Sequence, residues 1–223
     1  FEISNISKKY NIWLHVDGAF GGSVIFTEKY FHLLRGLEKS DSFCFNAHKT
    51  LGVPLSTSIL VVNKKDALNE SFSNKASYLY QTNDDDYNLG YTSFECGRRN
   101  NALKFWVLWK AIGTKGLKSM VEHEFNLAQY AREYVKNNNH YKIYSFDNSL
   151  SICFNYKNYD PIDLCTKLYE HNQIMVGFGY FNKDCFIRLV TINSENTEQD
   201  LQLFFRKLEE FCGLNDDLIK KIN

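Results

Sequence analysis

The sequence predicts an α/β fold followed by a smaller α+β unit. Three observations carry this. Short, partly β-branched apolar runs at Ile12–Val16, Ser42–Phe45 and Thr57–Val62 alternate with helical patterns. Two of those runs end in small and polar residues, Asp17-Gly18-Ala19 and Asn46-Ala47-His48-Lys49, and strand ends are where α/β sheets carry ligand chemistry. After Asn137-Asn138-Asn139 the texture changes to shorter strands and capped helices.

Phe1–Tyr10 reads as an amphipathic helix already under way, with Phe1, Ile3, Ile6 and Tyr10 as its apolar positions. It opens without Met or a signal core, which reads as a chain cut in mid-domain. Ile12–Val16 is expected to be a strand buried on both faces of a parallel sheet. Tyr30–Leu37 is a short helix, Ser42–Phe45 a second strand and Thr57–Val62 a third. Leu68–Arg98 is a long polar segment with several tyrosines, and Asp84-Asp85-Asp86 in it is a solvated turn. Asn100–Gly113 is apolar nearly all round, which predicts a buried helix. Gly116–Lys136 is a long amphipathic connector helix with Leu117, Val121, Phe125, Ala128, Ala131 and Val135 on one face. The division predicted is 1–115 and 116–223. In the second part Ser149–Tyr156, Ile174–Gly177 and Cys185–Ile192 read as strands. Asp160-Pro161 opens a helix running to about His171, with a cap and a first-turn proline. Thr197-Glu198-Gln199-Asp200 approximates a capping box before Leu201, Phe204, Leu208 and Phe211.

Composition narrows the function classes. The 26 basic and 26 acidic residues cancel and are interspersed, so no basic stripe argues for nucleic acid or an anionic membrane. No run of about eighteen apolar residues predicts a membrane span. The six cysteines form no CxxC and fit no zinc spacing, so no metal is expected. Their place in apolar runs suggests reduced thiols and a cytoplasmic location.

Lys49 is the chemically suggestive residue. A lysine at a strand end, flanked by Asn46 and His48, fits carbonyl chemistry, because an amine that loses its proton can form a Schiff base. Asp17, thirty-two residues earlier at the end of another strand, is its natural counterpart.

Four segments extend the reading: Trp13-Leu14-His15-Val16-Asp17-Gly18-Ala19, Asn46-Ala47-His48-Lys49, Cys96-Gly97-Arg98-Arg99 and Phe186-Ile187-Arg188-Leu189-Val190. In type and order they resemble the C-terminal portion of the group II pyridoxal-phosphate-dependent amino-acid decarboxylases, over nearly the whole chain. The pattern departs from the family at Gly18 (usually Ala), Phe20 (usually Trp or Tyr) and Ala47 (usually Pro).

The resemblance implies a fold-type-I architecture: the C-terminal part of a cofactor-binding large domain, then a connector helix and a small domain. It implies pyridoxal 5'-phosphate as cofactor, held covalently by Lys49, with Asp17 pairing with the ring nitrogen and keeping it protonated. Ala19 would lie beneath the ring, His48 and Asn46 would serve the phosphate, and His15 would help position Asp17. Tyr78 matches a loop tyrosine that protonates the substrate carbon after carbon dioxide leaves; a phenol with a pKa of about 10 holds its proton at neutral pH. Arg188 matches an arginine that engages a substrate carboxylate. The implied reaction is decarboxylation of an L-amino acid, glutamate, aspartate or cysteine sulfinate in preference to an aromatic one, by a homodimer. The family's ring-stacking histidine and phosphate-cradling turn would lie upstream of Phe1. Two other readings stay open: a truncated, non-catalytic chain of the same fold acting as an interaction partner, and an aromatic amino-acid decarboxylase.

Overall fold

The computed structural model describes residues 1–72, 89–93, 95, 97–171 and 174–222. The chain divides into two units, Phe1–Leu117 and Lys118–Asn223.

The first unit is built on a three-stranded sheet in the order β1 (His15–Asp17), β2 (Ser42–Asn46), β3 (Ser58–Val62). β1 and β2 are parallel, with His15 opposite Ser42 and Asp17 opposite Cys44. β3 returns antiparallel to β2, from Asn46↔Ser58 to Ser42↔Val62. A parallel return needs a crossover of a dozen or more residues. Residues 47–57 form only the short helix α2 (Ala47–Thr50) and a turn, so the chain comes straight back. Phe43 and Phe45 point to one face of β2 and are buried with Val24 and Leu51. The edges of Phe105 and Trp109 pack against Phe26, at ring separations of 6.4 and 5.3 Å.

β1 is shorter and later than the expected Ile12–Val16, and it alternates between exposed and half-buried instead of being covered on both faces. Among the described residues it pairs with β2 alone. Helix α1 (Glu2–Lys9) forms as expected, but Ile3 and Ile6 are exposed while Ser4 and Ser7 are buried. Their hydroxyls donate back to the carbonyls of Phe1 and Ser4, so the polar atoms are satisfied within the helix. Tyr30–Leu37 is two 3-10 turns, Phe31–Leu34 and Leu37–Lys39, separated by Gly36 at φ 98°, a backbone value a helix cannot hold. Helix α3 (Ala67–Phe72) follows β3.

Helix α4 (Asn101–Lys136) runs from one unit into the other and is broken at Gly113, whose φ of 68° and ψ of 177° are not helical. Its first stretch is not buried all round, as the apolar run predicted. Phe105 packs on Phe45 of β2, but Leu103, Trp106, Val107 and Trp109 are exposed, because the three strands offer partners to one stripe only.

The second unit contains a four-stranded antiparallel sheet in the order β4 (Tyr141–Ile143), β5 (Ser151–Tyr156), β7 (Asp184–Val190), β6 (Gly177–Phe181). Met175 is exposed outside any strand, so β6 starts later than Ile174. It pairs with β7 through a tight hairpin whose turn has Asn182 at φ 54°, a value that suits the primed hairpin turns. Helix α5 (Pro161–Glu170) is capped by Asp160, whose carboxylate accepts from the N–H groups of Ile162 and Asp163. Helix α6 (Glu198–Leu214) starts on a complete capping box between Thr197 and Asp200. Val121, Phe125, Ile152, Phe154, Leu164, Leu168, Phe205 and Leu208 make the core, each side chain of this size adding about 1.5–3 kcal/mol by leaving water. Glu209 accepts from the hydroxyls of Tyr134 and Tyr141 at 2.9 and 2.8 Å. Burial, then that carboxylate, pushes Tyr134 up to about 12 and Tyr141 further up, so both stay neutral donors.

Candidate active site

Asp17 and Lys49 lie at the same end of two neighbouring parallel strands. Asp17 is the last residue of β1, and Lys49 sits in α2, which begins where β2 ends. The turn is pinned on both sides: Asn46 N–H donates to the Ala19 carbonyl at 3.3 Å, and Val53 N–H to the Ala47 carbonyl at 3.1 Å. Gly52 at φ 62° then redirects the chain, a left-handed conformation that is cheapest for glycine.

The Asp17 carboxylate uses its two oxygens differently. Oδ1 accepts the Ala19 N–H at 2.8 Å and the Cys44 S–H at 3.6 Å, whereas Oδ2 has no hydrogen-bond partner among the described residues. These two bonds, the Ala19 one first, hold the carboxyl below its ordinary value, and the charges of His15 and Lys49 act in the same direction. Asp17 is therefore an anion with one oxygen committed and one available. Lys49 is half-buried, and its amine makes no hydrogen bond or ion pair within 4 Å among the described residues.

His48 is half-buried too. Its Nδ1 lies 2.9 Å from both the N–H and the carbonyl oxygen of Thr57, which leaves Nε2 as the ring nitrogen that can meet a ligand. Asn46 caps α2 only by position, without a side-chain bond to its N–H groups. Ala19 is half-buried beside Asp17. His15 shares its strand face with Asp17; its Nδ1 is 2.7 Å from Ser42 Oγ and its Nε2 3.6 Å from Cys44 Sγ.

Arg188 lies in the second unit, on β7 opposite Cys153 of β5. Its Nε donates to Ser151 Oγ at 3.2 Å, and the side chain borders a cavity of about 520 Å3 with Tyr144, Cys153, Tyr180 and Phe186. Tyr78 lies outside the described residues, as does Cys96. Thus Asp17, Lys49, His15, His48, Asn46 and Ala19 come together in the first unit. A cavity of about 750 Å3 in that unit takes in neither Asp17 nor Lys49; it is lined by residues such as Phe31, Leu37 and Val61. The chemistry of the side chains marks the site better than the shape of the surface does.

Cys44, Ser42 and Thr57 were missed by sequence reasoning. The signal for the first two was available: alternation along β2 puts Ser42, Cys44 and Asn46 on the face opposite Phe43 and Phe45. What it lacked was the parallel register that lines up Cys44 with Asp17.

The residues fit pyridoxal phosphate. A carboxylate with one free oxygen suits a protonated ring nitrogen, an amine without a hydrogen-bond partner suits the cofactor's carbonyl, and Nε2 of His48 suits an anionic group. The fold is part of the fold-type-I architecture of pyridoxal-phosphate-dependent proteins. The chain belongs to the pyridoxal-dependent decarboxylase conserved domain family, whose profile matches residues 1–157. It is 30% identical over 239 residues to the mouse acidic amino acid decarboxylase GADL1, covering 97% of this chain and 43% of that protein. Its identity to the human GADL1 protein is 38% over 159 residues, covering 70% of this chain and 30% of that one. Among solved structures, mouse CSAD superposes with a TM-score of 0.84 at 25% identity, over 93% of this chain and 47% of the other. The fold is shared with Catharanthus roseus tryptophan decarboxylase, solved in complex with L-tryptophan, at a TM-score of 0.81 and 24% identity, over 97% and 47% of the two chains. The chain spans less than half the length of the mouse proteins it matches.

Proposed function

We propose that the protein containing this chain decarboxylates an acidic L-amino acid, such as glutamate, aspartate or cysteine sulfinate, to the corresponding amine. The observation that carries the reading is the placement of Asp17 at the end of β1, beside the parallel strand β2 whose end leads directly into the turn that carries Lys49. When bound, pyridoxal phosphate supplies an electron sink for the electron pair left on the substrate carbon as carbon dioxide departs.

The chain's own residues divide the remaining work. Lys49 would hold the cofactor covalently through its amine. Asp17, through its free Oδ2, would pair with the ring nitrogen and keep it protonated. Nε2 of His48 and the amide of Asn46 serve the phosphate, and Ala19 leaves room beneath the ring. Arg188 offers a planar pair of N–H groups to a substrate carboxylate. Tyr78 delivers a proton to the substrate carbon, so the carbon–carboxyl bond is replaced by a carbon–hydrogen bond. In this reading residues 1–115 are the C-terminal part of the cofactor-binding domain and 116–223 the connector helix and small domain. The working unit is a cytoplasmic homodimer.

Preference for an acidic substrate rests on the likeness to the acidic amino acid decarboxylases, which extends along nearly the whole chain. The test is carbon dioxide release by the full-length protein from glutamate, aspartate, cysteine sulfinate, tryptophan and tyrosine. Faster turnover of one of the acidic substrates is expected. Exclusive turnover of an aromatic one would overturn the substrate assignment and leave the reaction type standing.

A further inference from the structure

We infer that Cys44 is a positioning residue for Asp17, the last link of a one-directional hydrogen-bond chain running Trp13, Ser42, His15, Cys44, Asp17. The inference rests on Asp17 being the partner of the cofactor's ring nitrogen.

The chain's direction follows from its ends. Trp13 Nε1–H can only donate, and it reaches Ser42 Oγ at 2.8 Å. The ionised Asp17 carboxylate can only accept, and its Oδ1 is 3.6 Å from Cys44 Sγ. Between them, Ser42 Oγ lies 2.7 Å from His15 Nδ1, and His15 Nε2 lies 3.6 Å from Cys44 Sγ. With both ends fixed, one assignment lets every neutral member donate once. Ser42 O–H donates to Nδ1, Nε2–H donates to Sγ, and the thiol S–H donates to Oδ1. At Cys44 the direction is the same for the imidazolium, since Nε2 carries a proton in both forms.

The consequence is positional. A carboxylate held by the Ala19 N–H alone keeps some freedom to swing about that single bond. A second donor, from the neighbouring strand, binds the same oxygen and fixes the carboxylate plane, so that Oδ2 is the oxygen left free. Each S–H bond is weak, but the strand register holds Cys44 directly opposite Asp17 at no further entropic cost. Burial, then the Asp17 hydrogen bond, raises the Cys44 thiol, so it retains the proton it donates.

The experiment compares Cys44→Val, which removes the donor at similar volume, with Cys44→Ser, which keeps one, both in the full-length protein. Two readouts are taken: the 15N chemical shift of the ring nitrogen in labelled cofactor, and borohydride fixation of cofactor on Lys49. We expect Cys44→Val to move the 15N shift toward unprotonated pyridine and weaken cofactor binding about 3- to 10-fold, with fixation on Lys49 retained and KM for substrate unchanged. Cys44→Ser restores most of the shift. Should Cys44→Val fail to fold, Ser42→Ala breaks the chain two links upstream and is expected to move the shift in the same direction by less. An unchanged shift in folded Cys44→Val or Ser42→Ala protein that still fixes cofactor on Lys49 overturns the positioning role alone. Failure of the unsubstituted protein to fix cofactor on Lys49 overturns the cofactor reading and this inference with it.

Discussion

A Cβ added to Gly18 would lie 2.5 Å from Cε2 of Phe43 and 2.8 Å from the carbonyl oxygen of Cys44. Gly18 precedes Ala19 and Phe43 precedes Cys44, so this contact adjoins in sequence both residues that bond the Asp17 carboxylate. The aromatic ring fills the volume that a methyl group would need. Gly18→Ala is therefore expected to destabilise the protein by about 1–3 kcal/mol through overpacking. Phe43→Leu in the same chain should recover part of that loss, the remainder coming from the backbone carbonyl. Chemical denaturation of the two single variants and the double variant measures the coupling. Additive effects would refute the size match.

Glu124 sets the expected pH dependence. It is fully buried on α4, and neither carboxylate oxygen has a hydrogen-bond partner among the described residues. Burial pushes its carboxyl from 4.5 up to about 9. Between those values the folded state keeps a proton that the unfolded chain releases, so stability falls as pH rises through that window. Below about pH 4.5 both states are protonated and the penalty is absent. Glu124→Gln removes the titration and should stabilise the protein by roughly 2–3 kcal/mol at pH 7, flattening the profile. Denaturant midpoints from pH 5 to 9 check this; equal slopes in the two proteins would contradict it.

Arg188→Lys retains the charge and loses the planar pair of donors. Loss of a charge-assisted hydrogen bond costs roughly 1.5–3 kcal/mol, which corresponds to about a 10- to 100-fold rise in KM for the amino-acid substrate. Cofactor fixation on Lys49 should be unaffected. Steady-state kinetics alongside borohydride labelling separates the two effects, and an unchanged KM would remove Arg188 from substrate binding.

Local signals in the sequence were reliable where a single turn of backbone decides the outcome. Asp160-Pro161 starts α5, Thr197 and Asp200 box the start of α6, and Gly113 breaks α4 as the change in pattern before Gly116 implied. The positions of Asp17 at a strand end and of Lys49 just past one were legible because each follows an apolar run. Long-range features were not. The antiparallel direction of β3 follows from the short 47–57 connection, a spacing and not a residue pattern. The apolar positions of α1 and of the first stretch of α4 gave the right helices, but Ile3, Ile6 and Trp106 face outward in this chain. Periodicity reports which side is apolar, whereas burial depends on what lies opposite. In the sequence Cys44 is an ordinary thiol in an apolar run, and only the register of β1 on β2 gives it Asp17 as a neighbour.

The most direct test of the central claim is borohydride reduction of the full-length protein with pyridoxal phosphate, followed by peptide mass spectrometry. A cofactor adduct on Lys49, lost in Lys49→Ala together with turnover, is the predicted result. An adduct on another lysine, or turnover by Lys49→Ala equal to that of the unsubstituted protein, would contradict it.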